Sequence, residues 1–380
     1  VVTHAGGEEL AEPLVVRPTS ETIIGNMYSK WVQSYRDLPV LMNQWANVMR
    51  WEKTTRPFLR TSEFLWQEGH TAFATEEEAI NNTMTMLGVY KEFAENCLAI
   101  PVITGRKTEK EKFAGAEATY GMEAMMKDGK SLQAGTSHYL GQNFSKAFDI
   151  KFLDKDGTQK YAYTVSWGVS TRLIGALIMA HGDQRGLVIP PVVAPTQVVI
   201  VPIAAKKGGV MEACHEIKQK LEKAGVRVLL DDSDNSPGWK FNEWEMRGVP
   251  VRMEVGPRDL EAGKVVIFRR DTCEKDFYPI EDLTKTTKKL LKTIQKDMLD
   301  SARVRRDEKI KEADDVAGIL AAVDSGNFVK AGWCGARECE DEVKAQTGAT
   351  ARVFAEKHTK CTCAVCGKKA EHTIIFARAY

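Results

Sequence analysis

The 380-residue chain has no excess of charge of either sign, with 53 Lys and Arg against 52 Asp and Glu. A polyanion-binding role therefore cannot rest on bulk charge, and any nucleic-acid contact has to come from a local basic face. No apolar run approaches the roughly 20 residues that a membrane-spanning helix needs, so no membrane role is expected. The glycine signatures of phosphate binding are missing too: no GxGxxG follows a strand-like run, and GxxxxGK[ST] does not occur. Phosphate chemistry, if present, must use side chains instead of a glycine cradle. Cysteine is scarce where a disulfide framework would spread it. Cys97, Cys214 and Cys273 are isolated, whereas Cys334, Cys339, Cys361, Cys363 and Cys366 crowd the last fifty residues. That cluster reads as a metal site in a reducing compartment, which makes a cytoplasmic setting the expectation. The chain opens on VVTHAGGEEL, without Met, basic region or apolar leader, and is expected to be a truncated or processed form.

What is present is ordinary globular composition, 43% hydrophobic and 28% charged, in a length that suggests two or three domains. LVIPPVVAPTQ (187–197) packs three prolines into six positions and reads as an extended linker. Beyond it, VVIVPI (198–203), a helix with Val210, Ala213, Ile217, Leu221 and Ala224 at helical spacing, and VRVLL (226–230) alternate as in a small α/β domain. Before residue 190 the pattern predicts a helix at 20–34, strands at 40–52 and 61–70, a helix at 76–98, strands near 131–138 and 161–168, and a helix at 170–180. Strands joined through loops with helices to one side imply an antiparallel α+β domain.

Four segments carry chemistry. In NVMRWEKTTRPFLRTSEFLWQEGH (47–70), read as a hairpin with a long charged loop, Arg50 and Glu52 share one face, and Phe64, Trp66, Glu68 and His70 share one face of the return strand. Charge that dense among aromatics favours a site for a charged ligand. RPTSET (17–22) reads as a capped helix start, with Thr19 or Ser20 as N-cap and Glu21 in the first turn. QAGTSHYLGQNF (133–144) puts Thr136 and His138 on one strand face, with Gly135 allowing close backbone approach. SWGVSTRLIGALIMAHGD (166–183) ends a strand at Gly168 and opens a helix buried through Leu173, Ile174, Leu177 and Ile178, whose one cation, Arg172, needs an anionic partner such as phosphate. KTEKEKFAG (107–115) is read as a solvated charged loop.

These segments resemble the class II aminoacyl-tRNA synthetases, and within them the prolyl-tRNA synthetases of archaeal and eukaryotic-cytoplasmic type. Arg50-Trp51-Glu52, the loop, and Arg60-Thr61-Ser62-Glu63-Phe64 match motif 2, and Gly168 through Arg172 matches motif 3. Arg17-Pro18-Thr19-Ser20-Glu21 and Trp66-Gln67-Glu68-Gly69-His70 are similar to the prolyl enzymes in particular, and the likeness runs from residue 1 to Tyr380. It implies a class II catalytic domain over 1–193, an anticodon-binding domain over 194–298 and a zinc-bearing C-terminal domain over 299–380. Motif 1, the family's dimer element, is absent, so a homodimer through a segment preceding Val1 is expected.

The resemblance further implies activation of L-proline with ATP and Mg²⁺, then transfer of the prolyl group to tRNA(Pro). Arg50 would meet the α-phosphate and the carboxylate, and Arg172 the γ-phosphate. Glu52, Arg60, Thr61, Phe64, Gln133, Thr136 and Thr171 would complete the ATP site. Thr19, Glu21 and Glu68 would face the secondary ammonium of proline, with Trp66, Phe113, His138, Ser166 and Trp167 around its ring. In relatives the loop equivalent to 107–115 covers the amino-acid site, and the last residue packs toward the catalytic domain. The ninety-five residues between His70 and Ser166 leave no room for the editing insertion of bacterial prolyl enzymes. Arg247, Arg252, Arg258, Lys264, Arg269 and Arg270 would give the middle domain local positive charge toward tRNA. For structural zinc, Cys334 and Cys339 form one pair and the Cys363–Cys366 knuckle the other, with Cys361 an alternative ligand.

Overall fold

The computed structural model describes residues 1–380 and divides into two compact units. The first comprises Val1–Glu92, Val102–Ala176 and Glu308–Tyr380, and the second Phe93–Pro101 and Leu177–Asp307.

The first unit is built on a six-stranded antiparallel sheet. In spatial order its strands are Val40–Met49, Glu63–Phe73, Tyr163–Ser170, Ser131–Gly141, Ala118–Met125 and Val102–Arg106. Alternation explains why one face becomes a site. Val48, Ala46 and Gln44 pair with Phe64, Trp66 and Glu68, while Leu65 and Gln67 point to the opposite side. Across the sheet Glu68 meets Gly168, which meets Thr136, and Ser166 meets His138. Gly69 has a packing reason: a Cβ there would fall 1.9 Å from the Trp167 indole. The helices Glu21–Trp31 and Glu76–Glu92 belong to this unit.

Several details depart from the pattern. Ser20 is the N-cap of the first helix but makes no capping bond; its hydroxyl donates to Glu68 instead. The strand expected to stop at Gly168 continues to Ser170, and the next helix runs Arg172–His181 with Ile174 exposed on it. Val102–Arg106 and Ala118–Met125 were not foreseen as strands, since Gly105 and Gly121 interrupt their alternation. On Ser131–Gly141 a bulge at Ala134 sets Gln133 opposite Glu123 and Gly135 opposite Met122. The extra residue lets Gln133 join Thr136 on one side, which strict alternation forbids.

The C-terminal part of the first unit is a four-stranded sheet in the order Ile310–Glu312, Phe328–Trp333, His372–Ala377, Thr350–Phe354, with helices Val316–Asp324 and Arg337–Thr347. Phe328, Val353, Ile375 and Ala377 pack with Ile103 and Met125 in one apolar cluster. Strand Thr350–Phe354 approaches so closely that a Cβ on Gly105 would lie 2.6 Å from the Phe354 carbonyl oxygen.

The second unit has parallel strands Val198–Pro202, Val228–Leu230 and Val251–Val255, extended by antiparallel Lys264–Arg269 and Lys275–Pro279. Gly225, at φ +82°, ends helix Val210–Lys223 as its sequence position suggests. Helix Leu283–Glu308 passes residue 298 without a break, burying Leu291, Ile294, Met298 and Ala302. The expected free positive charge is mostly spent internally. Arg247 pairs with Glu243, Arg252 with Glu245 and Glu254, Arg269 with Asp271 and Asp297, and Arg270 with Asp183. Arg252 and Arg270 are buried, so neither is available to phosphate.

Candidate active site

A cavity of about 290 Å³ opens on the site face of the six-stranded sheet. It gathers Thr19, Glu21, Arg50, Glu52, Arg60, Thr61, Phe64, Trp66, Glu68, Gln133, Thr136, His138, Ser166 and Arg172, with Phe113 and Trp167 also in the wall. Thr171 is the exception. Its amide N–H is committed to the Leu65 carbonyl at 3.0 Å, and Ser170 and Arg172 on either side line the cavity in its place.

One end of the cavity is cationic. Arg172 is half-buried, donating from Nε to the Leu59 carbonyl at 2.9 Å and from Nη1 to the Gln133 carbonyl at 3.3 Å. Arg50 donates to the Pro18 carbonyl at 3.0 Å and lies over the rings of Phe64 and Trp66, 5.2 and 5.7 Å from their centroids. Neither guanidinium has a carboxylate within ion-pair distance; only Arg60 does, 3.4 Å from Glu52. Burial first, then the field of Arg60, lowers the pKa of Arg172; the Glu123 carboxylate works against this, while Arg50 and Arg352 add to it more weakly. Three arginines gathered here, two of them without a carboxylate at ion-pair distance, describe a site for a polyanion.

The other end is anionic and tightly ordered. Burial works to raise the pKa of Glu68, but hydrogen bonds from His70, Ser20 and Gln44 and the proximity of His70 hold it below the usual value. His70 Nε2 lies 3.0 Å and Gln44 Nε2 2.6 Å from this carboxylate. Glu21 accepts from Thr19 and from Ser166, the latter at 3.2 Å. His138 sits between the hydroxyls of Thr119 and Thr136, at 2.9 and 3.0 Å. Burial, followed by the positive fields of Lys107 and His70, pushes its pKa down to about 3, so its imidazole is neutral at physiological pH. The Phe113 ring stands 4.7 Å from it, giving this end an apolar wall.

The sequence and the folding pattern have counterparts among known proteins. Residues 5–181 match the family model described as the tRNA synthetase class II core domain (G, H, P, S and T). Residues 197–290 match the anticodon binding domain, and 317–380 the prolyl-tRNA synthetase C-terminal domain. The proline–tRNA ligase of Alkaliphilus oremlandii is 59% identical over all of this chain and 80% of its own length. That of Acetoanaerobium sticklandii is 56% identical with the same coverage. The chain belongs to the proline–tRNA ligase family. A crystal structure of prolyl-tRNA synthetase from Cryptosporidium parvum, complexed with halofuginone and AMPPNP, superposes with a TM-score of 0.96 at 42% identity, covering 100% of this chain and 81% of that one.

In this proline–tRNA ligase family member the cavity wall also takes in residues between 107 and 119. Lys107, Glu111 and Thr119 line it, and Lys107 and Thr108 are buried, so the 107–115 segment is not a solvated loop. A run of alternating charge gives no local sign of this, because its partners are Glu123 on the sheet and, more than two hundred residues away, Arg352 and Glu340. Tyr380 is half-buried: its hydroxyl donates to Asp128, and its ring lies 5.7 Å from the Arg56 guanidinium.

Cys334, Cys339, Cys363 and Cys366 bring four sulfurs within 4.8 Å of one another, while Cys361 stands outside the group and is exposed. The Cys334–Cys339 and Cys334–Cys366 sulfur separations are both 3.7 Å. A tetrahedral ion with sulfur ligands at about 2.3 Å requires roughly 3.8 Å between them, so the donor set fits zinc. The thiols influence one another: burial opposes ionisation of Cys363 but the backbone amides of Cys366, Val365 and Cys334 lower its pKa, whereas burial raises those of Cys334 and Cys339.

Proposed function

We propose that the cationic end of the cavity grips the triphosphate of ATP and the anionic end takes the secondary ammonium of proline. The chain is an aminoacyl-tRNA ligase that activates proline with ATP and passes the prolyl group to tRNA(Pro). The observation that carries the residue assignment is the pair of guanidiniums, Arg50 and Arg172, without carboxylate partners at one end, opposite the carboxylates of Glu21 and Glu68 at the other.

In this reading the carboxylate oxygen of proline attacks the α-phosphorus, the bond to the β-phosphate oxygen breaks, and pyrophosphate leaves. The attacking carboxylate is already ionised, so no general base is required; positioning and charge neutralisation supply the rate. Arg50 faces the charge that develops at the α-phosphate, and Arg172 holds the γ-phosphate. Arg60 and Thr61 flank the nucleotide, Phe64 offers a stacking face, and Glu52 accepts from the adenine amino group once Arg60 turns to phosphate. Gln133 and Thr136 lie on the ribose side. Mg²⁺ enters as the counter-ion of ATP. Thr19, Glu21 and Glu68 receive the ammonium, with Trp66, His138 and Ser166 around the ring. A neutral His138 adds no repulsion to the cationic substrate. In the second step the terminal 3′-hydroxyl of the tRNA attacks the prolyl carbonyl and AMP departs.

The catalytic role is assigned to 1–193, anticodon binding to 194–298 and the metal-bearing role to 299–380, the last two joined through the Leu283–Glu308 helix. The short span between His70 and Ser166 and the four-cysteine domain favour the archaeal and eukaryotic-cytoplasmic type, a type of architecture and not of organism given the bacterial relatives. Exposed Leu41, Trp45 and Leu65, on one side of the sheet edge, favour a homodimer. Reduced cysteines suit the cytoplasm, and no helix is long and apolar enough to cross a membrane.

Full-length enzyme is expected to catalyse ATP–pyrophosphate exchange that depends on proline and is not supported by threonine, glycine or histidine; exchange driven by one of those instead of proline refutes the assignment. Structural zinc is checked separately. Metal analysis of gently purified protein should give about one equivalent, and less than half an equivalent counts against a closed four-thiolate site.

A further inference from the structure

We propose that the C-terminal cysteine domain is a clamp that holds the 107–113 segment against the amino-acid end of the cavity, and so sets the affinity for proline. The proposal rests on the assignment of that end to proline, but the clamp itself is read from contacts elsewhere.

Three parts of the chain meet at one carboxylate. Glu123, from the catalytic sheet, is fully enclosed and accepts from Lys107 Nζ at 3.0 Å, from Ser131 Oγ at 2.7 Å, and from Nε and Nη2 of Arg352 at 2.9–3.1 Å. Lys107 comes from the segment and Arg352 from the C-terminal strand Thr350–Phe354, whose carbonyl at Arg352 also accepts from Lys107 at 3.3 Å. One residue on, the buried Thr108 hydroxyl donates to Glu340 Oε1 at 3.2 Å, and Lys110 pairs with Asp341. Both acids lie on helix Arg337–Thr347. A segment with five charged residues in seven would otherwise be solvated; here the C-terminal domain supplies the groups that make its burial tolerable.

The same segment ends in the cavity. Lys107, Glu111 and Phe113 line it, the Phe113 amide donates to Thr119 Oγ1 at 2.9 Å, and the Phe113 ring meets His138. Lys107 thus belongs to both sets of contacts, and the clamp contacts of Thr108 and Lys110 stand within a few residues of the cavity contacts of Glu111 and Phe113. The phosphate end takes nothing directly from the C-terminal helix, which predicts an effect selective for the amino acid.

The test uses full-length enzyme carrying Glu340→Gln with Asp341→Asn, which keeps the helix and removes its two charges. In pyrophosphate exchange KM for proline should rise about 10-fold, the scale of losing a charge-assisted hydrogen bond, while KM for ATP stays within about twofold and zinc content is unchanged. Hydrogen–deuterium exchange of the 107–113 amides should accelerate, a readout that does not depend on the cavity assignment. Thr108→Val, made from the loop side and remote from the cysteines, should reproduce both effects and decides the matter if the helix variant loses zinc. Unaltered amide exchange together with proline and ATP KM values that stay level, or rise in parallel, overturns the clamp. Failure of the parent enzyme to use proline refutes the cavity assignment instead, and the amide exchange still reports on the clamp.

Discussion

Replacing Arg50 with alanine is expected to slow prolyl-adenylate formation by about 10²- to 10³-fold, the scale of losing one preorganised charge donor. The expectation comes from where its guanidinium is held. The Pro18 carbonyl anchors Nε, and the guanidinium lies over Phe64 and Trp66, while no carboxylate stands within ion-pair distance. A donor fixed before the substrate arrives spends little reorganisation when charge builds on the α-phosphate, so the loss should fall on kcat more than on KM for ATP. Arg50→Lys should recover only part of the rate, since an ammonium lacks the planar fork that these contacts orient. The measurement is proline-dependent ATP–pyrophosphate exchange; a loss for Arg50→Ala smaller than about threefold removes Arg50 from the chemistry.

The residues legible in the sequence are those whose placement follows from local period. Phe64, Trp66 and Glu68 occupy alternate positions of one strand, and the strand delivers them to one face. Thr136 and His138 obey the same rule. Gln133 reaches that face only because of the bulge at Ala134, which alternation could not supply. Ser20 was legible as a helix start but not in its role, since Glu68 captures the hydroxyl that would cap the helix. Thr171 is the reverse case: it belongs to the motif, yet Ser170 and Arg172 on either side line the cavity and it does not. Lys107 was misread for a different reason. Its partners Glu123 and Arg352 come from the sheet and from the far end of the chain, and no window of neighbouring residues holds the information that it is buried. The middle-domain arginines make the same point with the opposite sign, for a count of cations says nothing about Asp183 or Glu254 standing beside them.

Arg172→Ala is expected to reduce adenylate formation by about 10²-fold or more without a matching loss of stability. Two effects oppose each other in the unliganded protein. The side chain ties the Leu59 carbonyl to the Gln133 carbonyl, which stabilises the loop against the sheet. Against that, a half-buried guanidinium near Arg60 and Arg50 has no carboxylate within ion-pair distance, and burial and repulsion depress its pKa in spite of the opposing field of Glu123. Alanine loses the ties and the repulsion together, so the thermal midpoint should move by no more than about 2 °C. If Arg172 meets the γ-phosphate, ATP should reverse the balance, because the triphosphate would bring a counter-charge within ion-pair distance. ATP should therefore raise the midpoint of the parent clearly more than that of the variant, by the linkage between binding and folding. A purely structural Arg172 would give the opposite pattern, a lower midpoint for the variant and an equal response to ATP. Thermal denaturation with and without ATP, alongside exchange kinetics, distinguishes the two, because a guanidinium that costs stability without ATP and binds the triphosphate must respond to ATP, whereas a purely structural one need not.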